Sequence, residues 1–256
     1  MNTTTVTARP PQRSTSLVAG ALYLLTFVSV PTLALYRPVK GADYILGPGP
    51  DTAATFGGLL EIIVALAGIG TAVVLFPLLK RHNERLALGL VVSRVLEAST
   101  IFLGVAFILS VVTLRKDAAG ADALPISHTL VALYDRIFLL GQSFMPAVTD
   151  LLLGLLLYQS RLVPRALSRI GLVGSPLLMI GYLAVLFGVI SQHGPLAGLF
   201  ALPVALFEFS LGIWLLVKGF DPEAVAALED KAQSGSRPSA QISRSGAPPA
   251  TVTGHA

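Results

Sequence analysis

Six long apolar stretches decide what this chain can fold into. They lie at about 16–36, 52–79, 86–114, 128–158, 169–190 and 196–217. Each reaches the roughly 18–20 residues that a helix needs to cross about 30 Å of hydrocarbon. Backbone polar groups in lipid must be satisfied within the segment, and the alternation of a barrel strand is absent, so the runs predict helices. The expected fold class is all-α: a polytopic integral membrane protein with six transmembrane helices in one bundle. Composition agrees. Hydrophobic residues make up 54% and charged residues 12%, against a usual charged share of about 25%. A mean hydropathy of +0.75 excludes a soluble globular domain. The absence of cysteine excludes a disulfide scaffold, thiolate metal sites and a cysteine nucleophile.

Four segments follow along the chain. Residues 1–15 are polar and proline-containing and are expected to form a disordered arm; 16–220 form the transmembrane domain; 221–232 form a short surface helix; 233–256 form a disordered tail rich in Ser, Gly, Pro and Ala. Arg9 and Arg13 precede the first run as in a signal peptide. That run exceeds a signal h-region of about 7–15 residues and ends without a small-x-small cleavage site, so it reads as a retained helix. Gly47-Pro48-Gly49-Pro50 breaks the chain, with Asp51 or Thr52 as the expected cap of the second helix. Pro125 precedes Ser127, the expected cap of the fourth. Gly194-Pro195 places proline at a helix start, and Asp221-Pro222-Glu223 reads as N-cap, N1 and N2 of the surface helix.

The Lys and Arg residues do not form a nucleic-acid-binding stripe, and no basic patch has interleaved aromatics, so nucleic acid is not an expected partner. They cluster between the apolar runs instead. One side receives twelve: Arg9 and Arg13, Lys80, Arg81 and Arg85, Arg161, Arg165 and Arg169, and Lys218, Lys231, Arg237 and Arg244. The other receives four, Arg37, Lys40, Arg115 and Lys116. The positive-inside rule then puts both termini in the cytoplasm.

Seven ionisable residues fall inside the runs: Glu61, Arg94, Glu97, Asp135, Arg136, Asp150 and Glu208. A lipid-facing charge at a helix centre costs roughly 2.5–3.5 kcal/mol on insertion scales, so all seven are expected to face the bundle interior. In the fourth run Asp135, Gln142 and Thr149 are seven apart, as are Arg136, Ser143 and Asp150. Seven residues fall about 20° short of two full turns, giving two adjacent polar columns on one face. Pro146 in their midst predicts a kink. Ser93, Arg94, Glu97, Thr100 and Gly104 share a face of the third run, and Gly174, Gly181 and Gly188 at heptad spacing, with Gly171 and Ala184 nearby, form a small-residue stripe on the fifth. Counting depth from the helix ends pairs Glu61 with Arg136, and groups Arg94 with Asp150, Glu97 and Glu208. Three buried acids around one arginine cannot all be ionised, so one is expected to keep its proton, Glu208 or Glu97 by their depth.

The chain lacks H-E-x-x-H, G-x-S-x-G, a Walker A loop and G-x-G-x-x-G. Its histidines, at 82, 128, 193 and 255, sit in loops, at helix ends or in the tail. No catalytic, metal-binding or cofactor-binding residue is therefore assigned, and no cofactor is expected.

The stretches YLLTFVSVPTLALYRPV, DYILGPG, GGLLEIIVALAGIGTAVVLFPLLKR, SRVLEAST, LVPRALSRIGLVG and LFEFSLGIWLLVKGF carry a resemblance. Together with the R-x-x-E of Arg94 and Glu97, the L-x-P-R-x-L-S segment and the F-E-x-S-x-G around Glu208, they resemble the bacterial membrane family catalogued as domain of unknown function 4386. The resemblance covers about residues 16–220. It implies six transmembrane helices and a bacterial cell-membrane location, and it implies no activity or substrate.

The buried polar cluster leaves three readings. One is a small transporter or ligand-binding membrane protein whose partners are the bilayer and a small molecule, proton or cation. The second is a structural or accessory membrane subunit whose buried charges fix helix register. The third, an enzyme acting on lipid or peptide, lacks a recognisable nucleophile or metal set.

Overall fold

The computed structural model describes residues 11–235. Residues 1–10 and 236–256, and with them most of the expected arm and tail, lie outside the described residues. The helices are α1 Pro11–Leu25, α2 Thr32–Leu35, α3 Asp51–Leu79, α4 Glu84–Lys116, α5 Leu124–Phe138, α6 Met145–Ser160, α7 Arg165–Leu186, α8 Pro195–Val217 and α9 Pro222–Gly235. There is no strand among the described residues. Six helical segments are long and apolar enough to cross a membrane, the first being Gln12–Leu35 and the fourth Ala121–Ser160. Residues 11–15, expected in the arm, form the first turns of α1.

Two of the six segments are interrupted, each at a proline. After α1 the chain tightens into a 3-10 turn, Thr26–Ser29, and turns at Pro31 into α2. Proline brings no N–H. The hydroxyls of Thr26 and Ser29 donate instead to the carbonyls three residues back, at 2.6 and 3.2 Å, and Thr32 does the same. Between α5 and α6 the backbone widens into a π-helix, Leu139–Phe144, just before Pro146. This is the expected kink, taken as a wide turn that continues into the next helix.

Termini of the described chain meet on one side of the bundle, here the terminal side. Arg13 reaches the carbonyl of Leu216 at 2.7 Å, and Gln12 and Arg81 both reach Glu229 on α9, at 3.0 and 3.1 Å. Asp221 caps α9 as expected, accepting from the backbone N–H of Glu223 and Ala224. Above this lies an apolar core that includes Tyr23, Leu75, Leu90, Leu153, Phe207 and Leu211. Large apolar side chains such as Leu66, Val173 and Leu199, each more than half exposed, face outward where lipid would lie.

The helices are unequal, and this matters for the site. α7 and α8 have 22 and 23 residues, about 33–35 Å at 1.5 Å per residue. α4 has 33 residues, about 50 Å. On the opposite, distal side α4 and α5 therefore overshoot the α7–α8 hairpin. The overhang is held by a second core containing Tyr36, Tyr44, Ile45, Ile108, Val111 and Tyr134. Arg115 closes it with an ion pair to Asp51 and a hydrogen bond to the Gly47 carbonyl at 3.2 Å.

Two local expectations are corrected. α3 starts at Asp51 without a side-chain cap, because Asp51 is engaged by Arg115 and by the Tyr44 hydroxyl at 2.6 Å. α5 starts at Leu124, so Ser127 lies buried within the helix rather than at its cap.

Candidate functional site

Arg94, on α4, is 4% exposed and draws acids from three helices. Its Nη1 donates to Glu97 at 3.0 Å within α4, and its Nη2 to Glu208 on α8 at 2.7 Å. Asp150 on α6 lies 3.9 Å from the same Nη2. Arg94 also stands over the ring of Tyr23 from α1, 5.7 Å from its centroid, within cation–π reach. Beside it Thr149 donates to Ser93 at 3.2 Å, joining α6 to α4. The expected grouping of Arg94, Glu97, Asp150 and Glu208 is present.

The expected pairing of Glu61 with Arg136 is not. Glu61 is 1% exposed and is held by neutral donors: Tyr36 at 3.1 Å, Tyr134 at 2.9 Å and Gln142 at 3.2 Å. Arg136 is exposed on the outer face of α5. Asp135 pairs with Lys40 at 2.7 Å, and its carbonyl accepts from Gln192 in the α7–α8 loop at 3.0 Å. That bond sets the last turn of α5 level with the end of the hairpin. Asp135 and Arg136 thus sit at the distal rim. The depths match, since Tyr134 and Gln142 on either side of Arg136 both reach Glu61, but Arg136 faces away from it. The π-helix also rotates the face below it, so the two polar columns do not run unbroken: Arg136 is exposed while Asp150 is fully buried.

Two cavities join these groups. The larger, about 800 Å³, lies between α2, α5, α7 and α8 and runs from Arg37, Lys40 and His193 at the distal rim down to Gln142, Ser143 and Glu208. Its walls are mostly apolar, among them Phe138, Leu178, Val185 and Phe200. The smaller, about 200 Å³, opens beside the break in α1 at Thr26 and Ser29 and is lined by Arg94 and Glu97. Gln142, Pro146 and Glu208 line both. Irregular backbone within a membrane is tolerated where it lines such a space.

Among the described residues no group of three or more His, Asp and Glu side chains is placed to hold a metal ion. Outside the spans, burial and then the hydrogen bond to Asp51 push the Tyr44 phenol up to about 12.

Sequence reasoning missed Tyr23, Tyr36, Tyr134 and Lys40. A signal was present: tyrosines within apolar runs need a partner for the hydroxyl once buried, and Tyr134 directly precedes Asp135. Lys40 carries no sequence signal beyond that of a loop charge.

The fold and the buried charges together define a multi-pass helical membrane protein. The chain belongs to the family described as Domain of unknown function (DUF4386), whose model matches residues 18–219. No curated protein and no solved structure matches it.

Proposed function

We propose that this is a small-molecule-binding membrane protein of transporter type, lying in a bacterial cell membrane with both termini cytoplasmic and the large cavity facing outward. The cavity is the observation that carries this reading. Its volume of about 800 Å³ falls within the roughly 300–1,000 Å³ of small-molecule sites. Apolar walls with polar groups at both ends suit a small amphipathic molecule. Glu208 at the floor touches both the cavity and Arg94, so an occupant would meet the buried charges directly. The broken α1 beside the floor supports the reading too, because discontinuous helices frame the mid-membrane sites of many transporters.

Site-directed thiol labelling tests it. The chain has no cysteine, so a cysteine at Ser143 is the only target. A small membrane-impermeant reagent added to intact cells should label Ser143→Cys and leave the outward-facing control Leu66→Cys untouched. Failure to label both Ser143→Cys and Ala201→Cys would return the protein to the accessory-subunit reading. The Glu61 site favours that second reading for its own half of the bundle: a carboxylate surrounded by three neutral donors locks helices together.

A further inference from the structure

We propose that Asp150 is the proton-binding site of this protein, holding a proton while Arg94 is engaged by Glu208 and releasing it when that engagement is lost. Asp150 is fully buried, and neither carboxylate oxygen has a hydrogen-bond partner. A buried charge without a hydrogen bond is the costliest arrangement open to a carboxylate, whereas the protonated acid is neutral. The groups facing it are known from every neighbouring helix. Arg94 and Glu97 come from α4, Glu208 from α8 and Tyr23 from α1. Arg94 already satisfies Glu97 and Glu208. With Asp150 ionised as well, three negative charges would share one positive charge, and the third would have no hydrogen bond and no exposure of its own.

The proton has a route to change. One nitrogen, Nη2, is 2.7 Å from Glu208 and 3.9 Å from Asp150. A cationic group arriving at the cavity floor would take Glu208 and free Nη2 to move about 1 Å to Asp150. The O–H bond of Asp150 then breaks, and the proton leaves by way of Glu97, which lines the smaller cavity. One positive charge enters as one proton leaves, so the charge of the cluster is conserved. This exchange rests on the cavity being a binding site; the proton on Asp150 does not. The sequence pointed to Glu208 or Glu97 as the protonated acid, and the hydrogen bonds move that role to Asp150.

Infrared spectroscopy of the purified protein in lipid at neutral pH decides it. Wild type should show a protonated-carboxyl C=O band. The band should shift when aspartate side-chain carbons carry ¹³C and stay fixed when glutamates do. It should vanish in Asp150→Asn and persist in Glu97→Gln. In Glu208→Gln, Arg94 is free to pair with Asp150, and most of the band should be lost. A wild type without a band that follows the aspartate label, or such a band surviving in Asp150→Asn, overturns the proton site; a band from Glu61 would follow the glutamate label and is told apart by it. An undiminished band in Glu208→Gln overturns the exchange. Isotope labelling needs no variant, so a poorly folding Asp150→Asn leaves the answer intact. Failure of the cavity reading would appear at Ser143 by thiol labelling and not in these spectra.

Discussion

Arg94 and Glu61 show two ways of keeping a charge inside a membrane bundle. Arg94 is balanced by ion pairs, and removing it strands acids from three helices. Arg94→Gln should destabilise the protein by about 3–5 kcal/mol, measured by denaturant unfolding in detergent micelles. A loss under about 1 kcal/mol would mean that water reaches the cluster freely. Glu61 makes no direct ion pair among the described residues, Lys40 standing off over the Tyr134 ring at 4.5 Å, so its stability should depend on phenols. Tyr134→Phe should cost about 1–3 kcal/mol, the penalty of an under-satisfied buried group. Arg136→Leu should be nearly silent, and a double-mutant cycle of Glu61→Gln with Arg136→Leu should give coupling near zero; substantial coupling would restore the pair. At the distal overhang, Tyr44 offers a pH signature. Its raised pKa means that stability is complete below about 10, the unfolded phenol value, and declines as pH climbs through about 12. Comparing alkaline ultraviolet titrations of wild type and Tyr44→Phe should reveal one missing phenol near 12, and one missing near 10 would contradict its burial. At this scale the sequence identified the acids and the arginine. It could not assign partners, because partnership depends on which way each side chain faces: Glu61 lies level with Arg136 yet bonds Tyr134 and Gln142 on either side of it.

Helices pack here through glycine, and the packing is selective. A Cβ on Gly20 of α1 would lie 2.7 Å from the Gly212 carbonyl oxygen and 2.9 Å from the Leu216 nitrogen of α8. Those are backbone atoms and cannot swing aside. Gly198, on the distal turn of α8, has nothing within 4 Å of its would-be Cβ. The same substitution should therefore have opposite effects. Gly20→Ala should loosen the α1–α8 contact and lower the melting temperature in detergent. Gly198→Ala should be neutral or gain up to about 1 kcal/mol from helix propensity. Equal behaviour of the two would show that close contact is not what Gly20 provides. The predicted stripe on α7 is only partly an interface. Gly171, Gly174 and Gly181 meet Phe207, Pro203 and Phe200 of α8, while Gly188 lies past the helix end at φ +72° with open space around it. Heptad spacing revealed the stripe, but nothing in the spacing marks where the helix stops. Pro146 likewise foretold a disturbance, whereas its form, a π-helix that turns Asp150 inward and leaves Arg136 outside, depends on tertiary packing.

Across the whole molecule, six crossings were legible because twenty apolar residues in succession admit few alternatives. Their unequal lengths were also written in the sequence, since the fourth run is long, yet the level of each helix against the membrane was not. Topology can be checked directly. A cysteine at Ala119, exposed between α4 and α5, should react with an impermeant thiol reagent in intact cells. One at Ala226, exposed on α9, should react only after permeabilisation. The reverse result would invert the orientation. The unequal helices also have a mechanical result. The α7–α8 hairpin is gripped at its terminal end, where the Asp221 N–H in the α8–α9 connection donates to the Leu162 carbonyl in the loop before α7, and Gly20 meets α8. At its distal end the large cavity separates it from α5, and the Gln192–Asp135 hydrogen bond reaches across. The hairpin is thus a lever with its fulcrum near α1 and a single-bond latch at its tip, and releasing that latch would move the cavity mouth far more than its floor.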